Sequence, residues 1–322
     1  MGKLRIGVMG CASIALRAMI PAIKKCCHLH LVAVSSRTEK KARQSSDFFG
    51  CEAITGYEKM LERDDIDAVY MPLPTGLHEK WVTKTLEAGK HILVEKSFTD
   101  DFEAAIRMVN LARFKNLLIM ENYLFPHHFQ HSWVMDLISS GGIGKIHLLR
   151  ATFGFPPLPE DDFRYKANLG GGALIDAGGY VVKAAQLFLG FDLKLLGASL
   201  FYDHELGVDI YGDALLKNHQ GQVAQLSFGF NYYYQCCCEF LGTKGKLILE
   251  KAFTPAPGFK PIVRLEYQDF KKEIMLPSDN HYLNMCNFFV KTVKFPNEYS
   301  THLETILNQV KLLDKIRKES NS

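Results

Sequence analysis

The sequence predicts an α/β protein in two parts: a parallel sheet wound with helices over residues 1–122, then an α+β domain with a mostly antiparallel, open sheet over 123–322. Three observations carry this. In the first part, apolar strand-like runs at 67–71, 90–95 and 117–121 alternate with helical patterns near 38–48, 57–63, 76–88 and 100–114, the rhythm of βαβ units. Beyond about residue 122 strand patterns follow one another at 194–203, 207–217, 222–229, 232–241, 245–250, 262–268 and 271–276, several separated by turns such as Asn218-His219-Gln220-Gly221, which reads as a meander. Finally, 322 residues with 47% hydrophobic and 23% charged side chains suffice for one large core or two ordinary ones. A helix near 127–140 ends at Gly141-Gly142, an extended region starts at Lys145, and helices are expected at 172–189, 281–294 and 300–318. No repeat or low-complexity linker separates the halves, and Asn122 to Gln130 is the expected crossing.

Several functions are excluded by composition. A net charge of +3 is too small to argue for nucleic acid or a membrane surface as partner. No apolar run approaches the roughly 18 residues of a membrane span. The amino terminus enters a strand almost at once, so no signal peptide is expected and the cytoplasm is the default compartment. None of the eight cysteines forms a C-x-x-C pair, and Cys236-Cys237-Cys238 on a strand must alternate faces. They cannot converge on one metal, so reduced thiols and no metal site are expected.

The first strand, Leu4-Arg5-Ile6-Gly7-Val8-Met9, runs into Gly10-Cys11-Ala12-Ser13-Ile14-Ala15 and an amphipathic helix through about Lys25. This is the strand–turn–helix of a dinucleotide site, with Gly, Ala and Ala where the fingerprint has three glycines. The first glycine makes the turn, and small residues let backbone approach a pyrophosphate at the positive end of the helix. The second strand, Leu31 to Ser36, ends in Ser35-Ser36-Arg37-Thr38 with Lys40 and Lys41 behind. A carboxylate is absent where it would repel a 2′-phosphate and a guanidinium is present to fork around one, which favours NADP(H) over NAD(H); Arg37 as a solvated helix-start residue is the alternative. In Pro72-Leu73-Pro74-Thr75-Gly76-Leu77-His78 two prolines hold a loop extended, so that Thr75 and His78 could face a nicotinamide or its ribose; a surface position for His78 is equally open.

The strand Ile92-Leu93-Val94 delivers Glu95-Lys96-Ser97 at its carboxyl end, where open α/β sheets place ligands. A lysine there can protonate or stabilise an oxygen gaining negative charge; a surface ion pair is the plain alternative. In Gly170-Gly171-Gly172-Ala173-Leu174-Ile175-Asp176-Ala177-Gly178-Gly179-Tyr180, Asp176 and Tyr180 are four apart and share a helix face, and the glycines admit a close backbone or a flat ring. A tyrosine beside a lysine is a usable acid, since the cation lowers the phenol's pKa. The alternative is a half-buried structural Tyr.

In that order and context, Gly10 to Ala15, Glu95-Lys96 and Gly170 to Tyr180 resemble the Gfo/Idh/MocA oxidoreductases over essentially the whole chain. Those enzymes pair an amino-terminal Rossmann domain with a carboxy-terminal α+β domain whose open sheet often serves in oligomerisation. Glu121-Asn122-Tyr123-Leu124-Phe125-Pro126-His127-His128, Ala151 to Pro157 and Asp162-Phe163-Arg164-Tyr165 resemble the branch of NADPH-dependent nucleotide-sugar 3-ketoreductases, which reduce the 3-keto group of dTDP-3,4-diketo-2,6-dideoxyhexoses. The resemblance implies Lys96 and Tyr180 as the catalytic and substrate-contacting pair, with their roles exchangeable. It implies a cofactor site of Gly10, Cys11, Ala12, Ser13, Ile14, Ser36, Arg37, Tyr57, Leu73, Thr75, His78, Glu95, Asn122, Arg164 and Asp176, with Tyr234 and Thr254 on the nucleotide sugar, and a homo-oligomer, dimer or tetramer. Three departures stand out: Ser97 replaces the family's proline and should loosen the loop after Lys96, Pro126 takes a non-proline position, and the triple cysteine is unusual in the sheet. An aldose or dihydrodiol dehydrogenase of the same fold and a non-catalytic NADP-binding regulator are the rival readings.

Overall fold

The fold is given by a computed structural model, which describes residues 2–320. They form two compact units, one running to Asn122 and taking in Tyr282–Val310, the other made of Tyr123–His281 and the chain from Lys311 on.

In the first unit β1 (Leu4–Met9), β2 (Leu29–Ser36), β3 (Glu52–Thr55), β4 (Ala68–Met71), β5 (His91–Val94) and β6 (Ile119–Glu121) form a sheet in the order β3-β2-β1-β4-β5-β6. Every pair is parallel. The order reverses beside β1, which opens a crevice at the carboxyl ends of β1 and β4 where such sheets bind ligands. Helices cover a parallel sheet on both faces, so its central strands read as unbroken apolar runs; Ala68, Val69, Tyr70 and Met71 of β4 are all fully buried. The connecting helices are α1 (Ile20–Lys25), α2 (Glu39–Phe49), α3 (Tyr57–Leu61), α4 (His78–Glu87) and α5 (Phe102–Lys115). Asp101 caps α5 by accepting the Glu103 N–H at 2.8 Å, and Asn116 ends it in the left-handed region at φ 52°.

The second unit contains α6 (Phe129–Ser139), β7 (Ile146–Gly154), α7 (Gly179–Leu189) and strands β8 (Lys194–Asp203), β9 (Val208–Lys217), β10 (Val223–Gly229), β11 (Gln235–Gly242), β12 (Lys246–Leu249), β13 (Ile262–Glu266) and β14 (Lys271–Met275). The sheet order is β14-β13-β12-β11-β7-β10-β9-β8. One face packs Phe153, Leu226, Phe228 and Phe240 with Val181, Val182 and Ala185 of α7 in a single core. The other is open. It carries ion pairs of Arg150 with Glu239 and of Lys246 with Glu239 and Glu266, beside outward Phe201, Tyr211 and Leu215.

Four expectations need correction. The domain boundary is not a single cut: α8 (His281–Val293) belongs from Tyr282 on to the first unit, together with the start of α9 (Tyr299–Ser320). Leu303, Ile306 and Val310 join the first core, whereas Leu312, Leu313 and Ile316 join the second, so one helix period serves two cores. The meander is interrupted, because β7 inserts between β11 and β10 and runs parallel to β10. Strand β3 escaped notice because only Ile54 of its four residues is even half-buried. Tyr232, Tyr233 and Tyr234 precede β11 rather than lie on it, so their faces do not follow strand alternation. The cysteines do alternate: Cys236 and Cys238 are buried, Cys237 is partly exposed, and all eight are free. Among the described residues no helix is long and apolar enough to cross a membrane, and no cluster of three or more His, Cys, Asp or Glu could hold a metal.

Candidate active site

The first turn is built as its sequence pattern requires. Gly10 adopts φ 120°, a conformation side chains rarely take, and its amide donates to the Ser35 carbonyl at 2.9 Å, tying the end of β1 to β2. The helix that follows starts at Ser13 and passes through a π turn, Ala15–Met19, before α1, a wider turn than the expected α-helix. Cys11 is anchored: its thiol accepts from the Ser45 hydroxyl at 3.3 Å. Cys11, Ala12 and Ile14 are half-buried and Ser13 is exposed. At the end of β2, Ser36 is buried and Arg37 exposed. Tyr57 packs edge-on against Trp81 at 4.9 Å; burial raises its pKa, and the Arg37 charge opposes that rise.

At the carboxyl ends of β4, β5 and β6 three side chains converge. The Tyr70 hydroxyl donates to Glu95 Oε1 at 2.7 Å, and Asn122 Nδ2 donates to the same oxygen at 2.6 Å. Desolvation raises the Glu95 pKa more than these donors, the Lys96 charge and the Lys96 backbone N–H lower it. Glu95 is therefore no surface ion-pair residue but the hub of a strand-end network. Asn122 is 1% exposed, and with its amide nitrogen committed to Glu95 its Oδ1 has no donor among the described residues. An orphaned buried acceptor at this edge suits a ligand N–H.

Lys96 follows, partly exposed, through a cis Lys96–Ser97 peptide. The loop after it is not loosened. Ser97 and Phe98 are buried, and the Phe98 N–H donates to Glu121 Oε1 at 2.8 Å. His78 is the further restraint, and it is neither on the surface nor open to a ligand. Its ring is fully buried, with Nδ1 3.0 Å from the Phe98 carbonyl and Nε2 2.8 Å from that of Leu73. Burial lowers its pKa against the pull of both carbonyls. His78 thus fastens the loop carrying Leu73 and Thr75, both buried, to the loop after Lys96.

In the second unit Tyr180 stands in a nest of rings. Its centroid lies 4.8 Å from Phe153, 5.4 Å from Tyr123, 5.8 Å from Phe253 and 6.1 Å from Phe125. Asp176 lies on the π turn Leu174–Gly178 rather than on an α-helical one, a turn type frequent at functional sites. Its Oδ2 accepts from Arg164 Nε at 2.7 Å, and Asp162 Oδ1 accepts from Arg164 Nη1 at 3.2 Å. Burial pulls the Arg164 pKa down and the two carboxylates more than restore it. The glycines admit what their spacing implied. A Cβ on Gly171 would fall 2.4 Å from the Arg164 carbonyl oxygen, and one on Gly178 3.2 Å from the Phe228 ring.

Tyr234 and Thr254 come together: their hydroxyls are 3.0 Å apart, with Lys251 Nζ 4.4 Å from the Tyr234 ring. Tyr233 is 87% exposed, and the Tyr232 hydroxyl bonds Ser227. Sequence reasoning missed Tyr70, which reads as one more apolar strand residue. It also missed Phe253 and the role of Phe153, whose proximity to Tyr180 no local pattern signals. Asp162, two residues before Arg164, could have been found as a capping carboxylate, since it accepts the Arg164 N–H at 3.0 Å.

Known proteins match the chain over nearly its whole length. A model described as "Oxidoreductase family, NAD-binding Rossmann fold" matches residues 4–123, and a GFO/IDH/MocA C-terminal domain model matches 131–248. The dTDP-3,4-didehydro-2,6-dideoxy-alpha-D-glucose 3-reductase of Saccharopolyspora spinosa is 45% identical over 90% of this chain and 88% of its own. That of Actinomadura kijaniata is 42% identical over 98% and 95%. A crystal structure of a 3-ketoreductase from Actinomadura kijaniata with NADP and TDP-benzene superposes with a TM-score of 0.95 at 40% identity, over 99% of this chain and 98% of that one.

Proposed function

Because the chain belongs to the GFO/IDH/MocA oxidoreductase family, we propose that it is an NADPH-dependent sugar 3-ketoreductase, reducing the C3 carbonyl of a dTDP-linked 3,4-diketo-2,6-dideoxyhexose. The observation that carries this is the near-complete match to relatives of that activity, together with an intact Lys96, Tyr180 and strand-end network.

The residues present fit the cofactor. The Gly10 turn and the helix start at Ser13 suit a pyrophosphate, exposed Arg37 beside buried Ser36 suits a 2′-phosphate, and the orphaned Asn122 Oδ1 suits an amide donor. Tyr57, Leu73, Thr75, Glu95, Arg164 and Asp176 complete that assignment, with His78 holding the loop rather than touching the ligand. When bound, NADPH supplies the hydride.

Lys96 and Tyr180 supply the rest of the chemistry. As the C=O bond is reduced to a C–O single bond its oxygen gains negative charge and needs one proton, which the Tyr180 hydroxyl donates while Lys96 stabilises the oxygen as charge builds; the reverse assignment balances equally. Four rings packed against the partly buried Tyr180 shield its flank from water. Tyr234 and Thr254, already hydrogen-bonded, are assigned to the nucleotide sugar, whose binding remote from C3 orients the carbonyl. Outward Phe201, Tyr211 and Leu215 support a homo-oligomer through the open sheet, and the cytoplasm is the proposed compartment.

The test is substrate profiling with purified protein. NADPH oxidation that depends on the dTDP-diketo sugar, with an equatorial or axial C3 hydroxyl identified by NMR, supports the assignment. Oxidation of free aldoses or diols with NADP, and indifference to dTDP-sugars, overturns it.

A further inference from the structure

Tyr70 has no role in the chemistry described above, yet it is a fully buried phenol that reaches the edge of the ligand crevice. It sits on β4, whose other residues contribute only apolar bulk, and its hydroxyl ends 2.7 Å from Glu95 Oε1. A buried tyrosine placed only for packing needs no hydroxyl, and a hydroxyl without a partner is costly to bury. Here the partner is a carboxylate that also receives Asn122 Nδ2 at 2.6 Å and that immediately precedes Lys96 in the chain. Two donors, Tyr70 on β4 and Asn122 just past β6, therefore hold one carboxylate oxygen from the strand ends on either side of β5.

We propose that Tyr70 is a positioning residue for proton delivery, acting through Glu95 on the backbone of Lys96. This rests on the reading of Lys96 given above. With Oε1 pinned by Tyr70 and Asn122, the Glu95 side chain is held in one orientation, and its backbone, which leads directly into Lys96, is held with it. Loss of the phenolic donor leaves the oxygen to Asn122 and frees the carboxylate to turn. Ionised Glu95 also contributes a fixed negative charge beside the Lys96 cation. The groups facing it among the described residues include Tyr70 on β4, Asn122, Lys96 on the loop after β5, and Tyr282 of α8, itself close to Arg17. Cys286 of α8 lies beside Tyr70. Glu121, adjacent in sequence to Asn122, takes the Phe98 amide. Removing one donor from a desolvated carboxylate favours its protonated form.

The experiment is Tyr70→Phe, measured alone and in a Lys96→Met background, with kcat followed from pH 5 to 9 and NADPH affinity and melting temperature recorded for each protein. The expected result is a loss in kcat of about 5- to 20-fold at neutral pH, an acid limb moved upward by about one pH unit, and both effects absent in the Lys96→Met background. Glu95→Gln, which keeps the shape of the side chain but cannot ionise, should reproduce the loss in kcat and flatten the acid limb, and it serves if Tyr70→Phe is poorly folded. An impaired Lys96→Met beside a Tyr70→Phe variant with wild-type kcat and pH profile overturns this proposal alone. So does a Tyr70→Phe loss that persists undiminished when Lys96 is gone. Wild-type turnover in Lys96→Met overturns the reading of Lys96 and this proposal with it.

Discussion

The two side chains assigned to proton delivery are held in opposite ways. Around Lys96 the frame is polar: Glu95 gathers Tyr70 and Asn122, Glu121 takes the Phe98 amide, and His78 lies between two carbonyls. Around Tyr180 the frame includes four aromatic rings with centroids 4.8–6.1 Å away. The contrast teaches how each acid is kept ready. A flexible lysine on a loop gains direction from hydrogen bonds that fix its backbone. A tyrosine on a helix gains direction from rings packed against its own, because two torsions define it. Polar frames fail by losing geometry and charge balance, whereas aromatic frames fail by losing packing, so mutations should tell the two apart.

The largest effect is expected from the pair itself. Lys96→Met and Tyr180→Phe should each lower kcat by about 10²–10⁴, the range for general acid catalysis, and the double variant should lose much less than the product of the two. Steady-state rates decide this, and full multiplicativity of the losses would mean that the two do not work as a unit.

Packing comes next. Phe153, 6% exposed and nearest to Tyr180, should cost about 3–5 kcal/mol of stability as Phe153→Ala, read by urea denaturation. A loss below about 1 kcal/mol would show that the nest is loosely packed and that the aromatic frame explains little.

The same unit holds neutral imidazoles, and this predicts a pH dependence of stability. His131 and His281 are both pushed down to about 3, chiefly by burial. The unfolded chain titrates them near 6.5, so between about 3 and 6.5 it binds more protons than the folded one. Stability is then complete above about pH 6.5 and falls as the medium becomes more acidic, by up to roughly 1.4 kcal/mol per pH unit for each ring. Melting curves from pH 8 to pH 5 should show this decline and His131→Asn should flatten it. An unchanged slope in that variant would assign the acid sensitivity to other groups.

The smallest effect belongs to the exposed edge of the first unit. Arg37→Ala should weaken NADPH binding by about 1.5–3 kcal/mol, the scale of a charge-assisted hydrogen bond, and leave NADH nearly untouched. Fluorescence titration with both cofactors checks it; equal weakening of the two would remove Arg37 from the 2′-phosphate.

Much of this was legible from sequence because it is local. A strand that ends in Gly10 and a helix that begins at once, and an apolar run delivering Glu95 and Lys96, depend on residues within one or two turns of each other. Periodicity marked nearly every strand and helix for the same reason, and the triple cysteine alternates as a strand must. Where the period is weak, as at Glu52–Thr55, or altered, as at the π turns 15–19 and 174–178, the reading slipped by an element or a helix type.

What the sequence by itself determined, then, is the chemistry on offer: which side chains stand at strand ends and helix starts, and in what order. Only the tertiary structure decided their surroundings. Tyr70 becomes a donor to Glu95 because β4 and β5 lie side by side in register, with Tyr70 opposite Leu93. His78 becomes a clamp because two loops meet on its ring. Tyr180 is walled by Phe153 and Phe253 from distant segments, β7 slips between β10 and β11, and Tyr282–Val310 returns to the first unit. These are contacts between residues far apart in the chain, selected by which apolar faces bury one another, and no repeat of three or four residues records that choice.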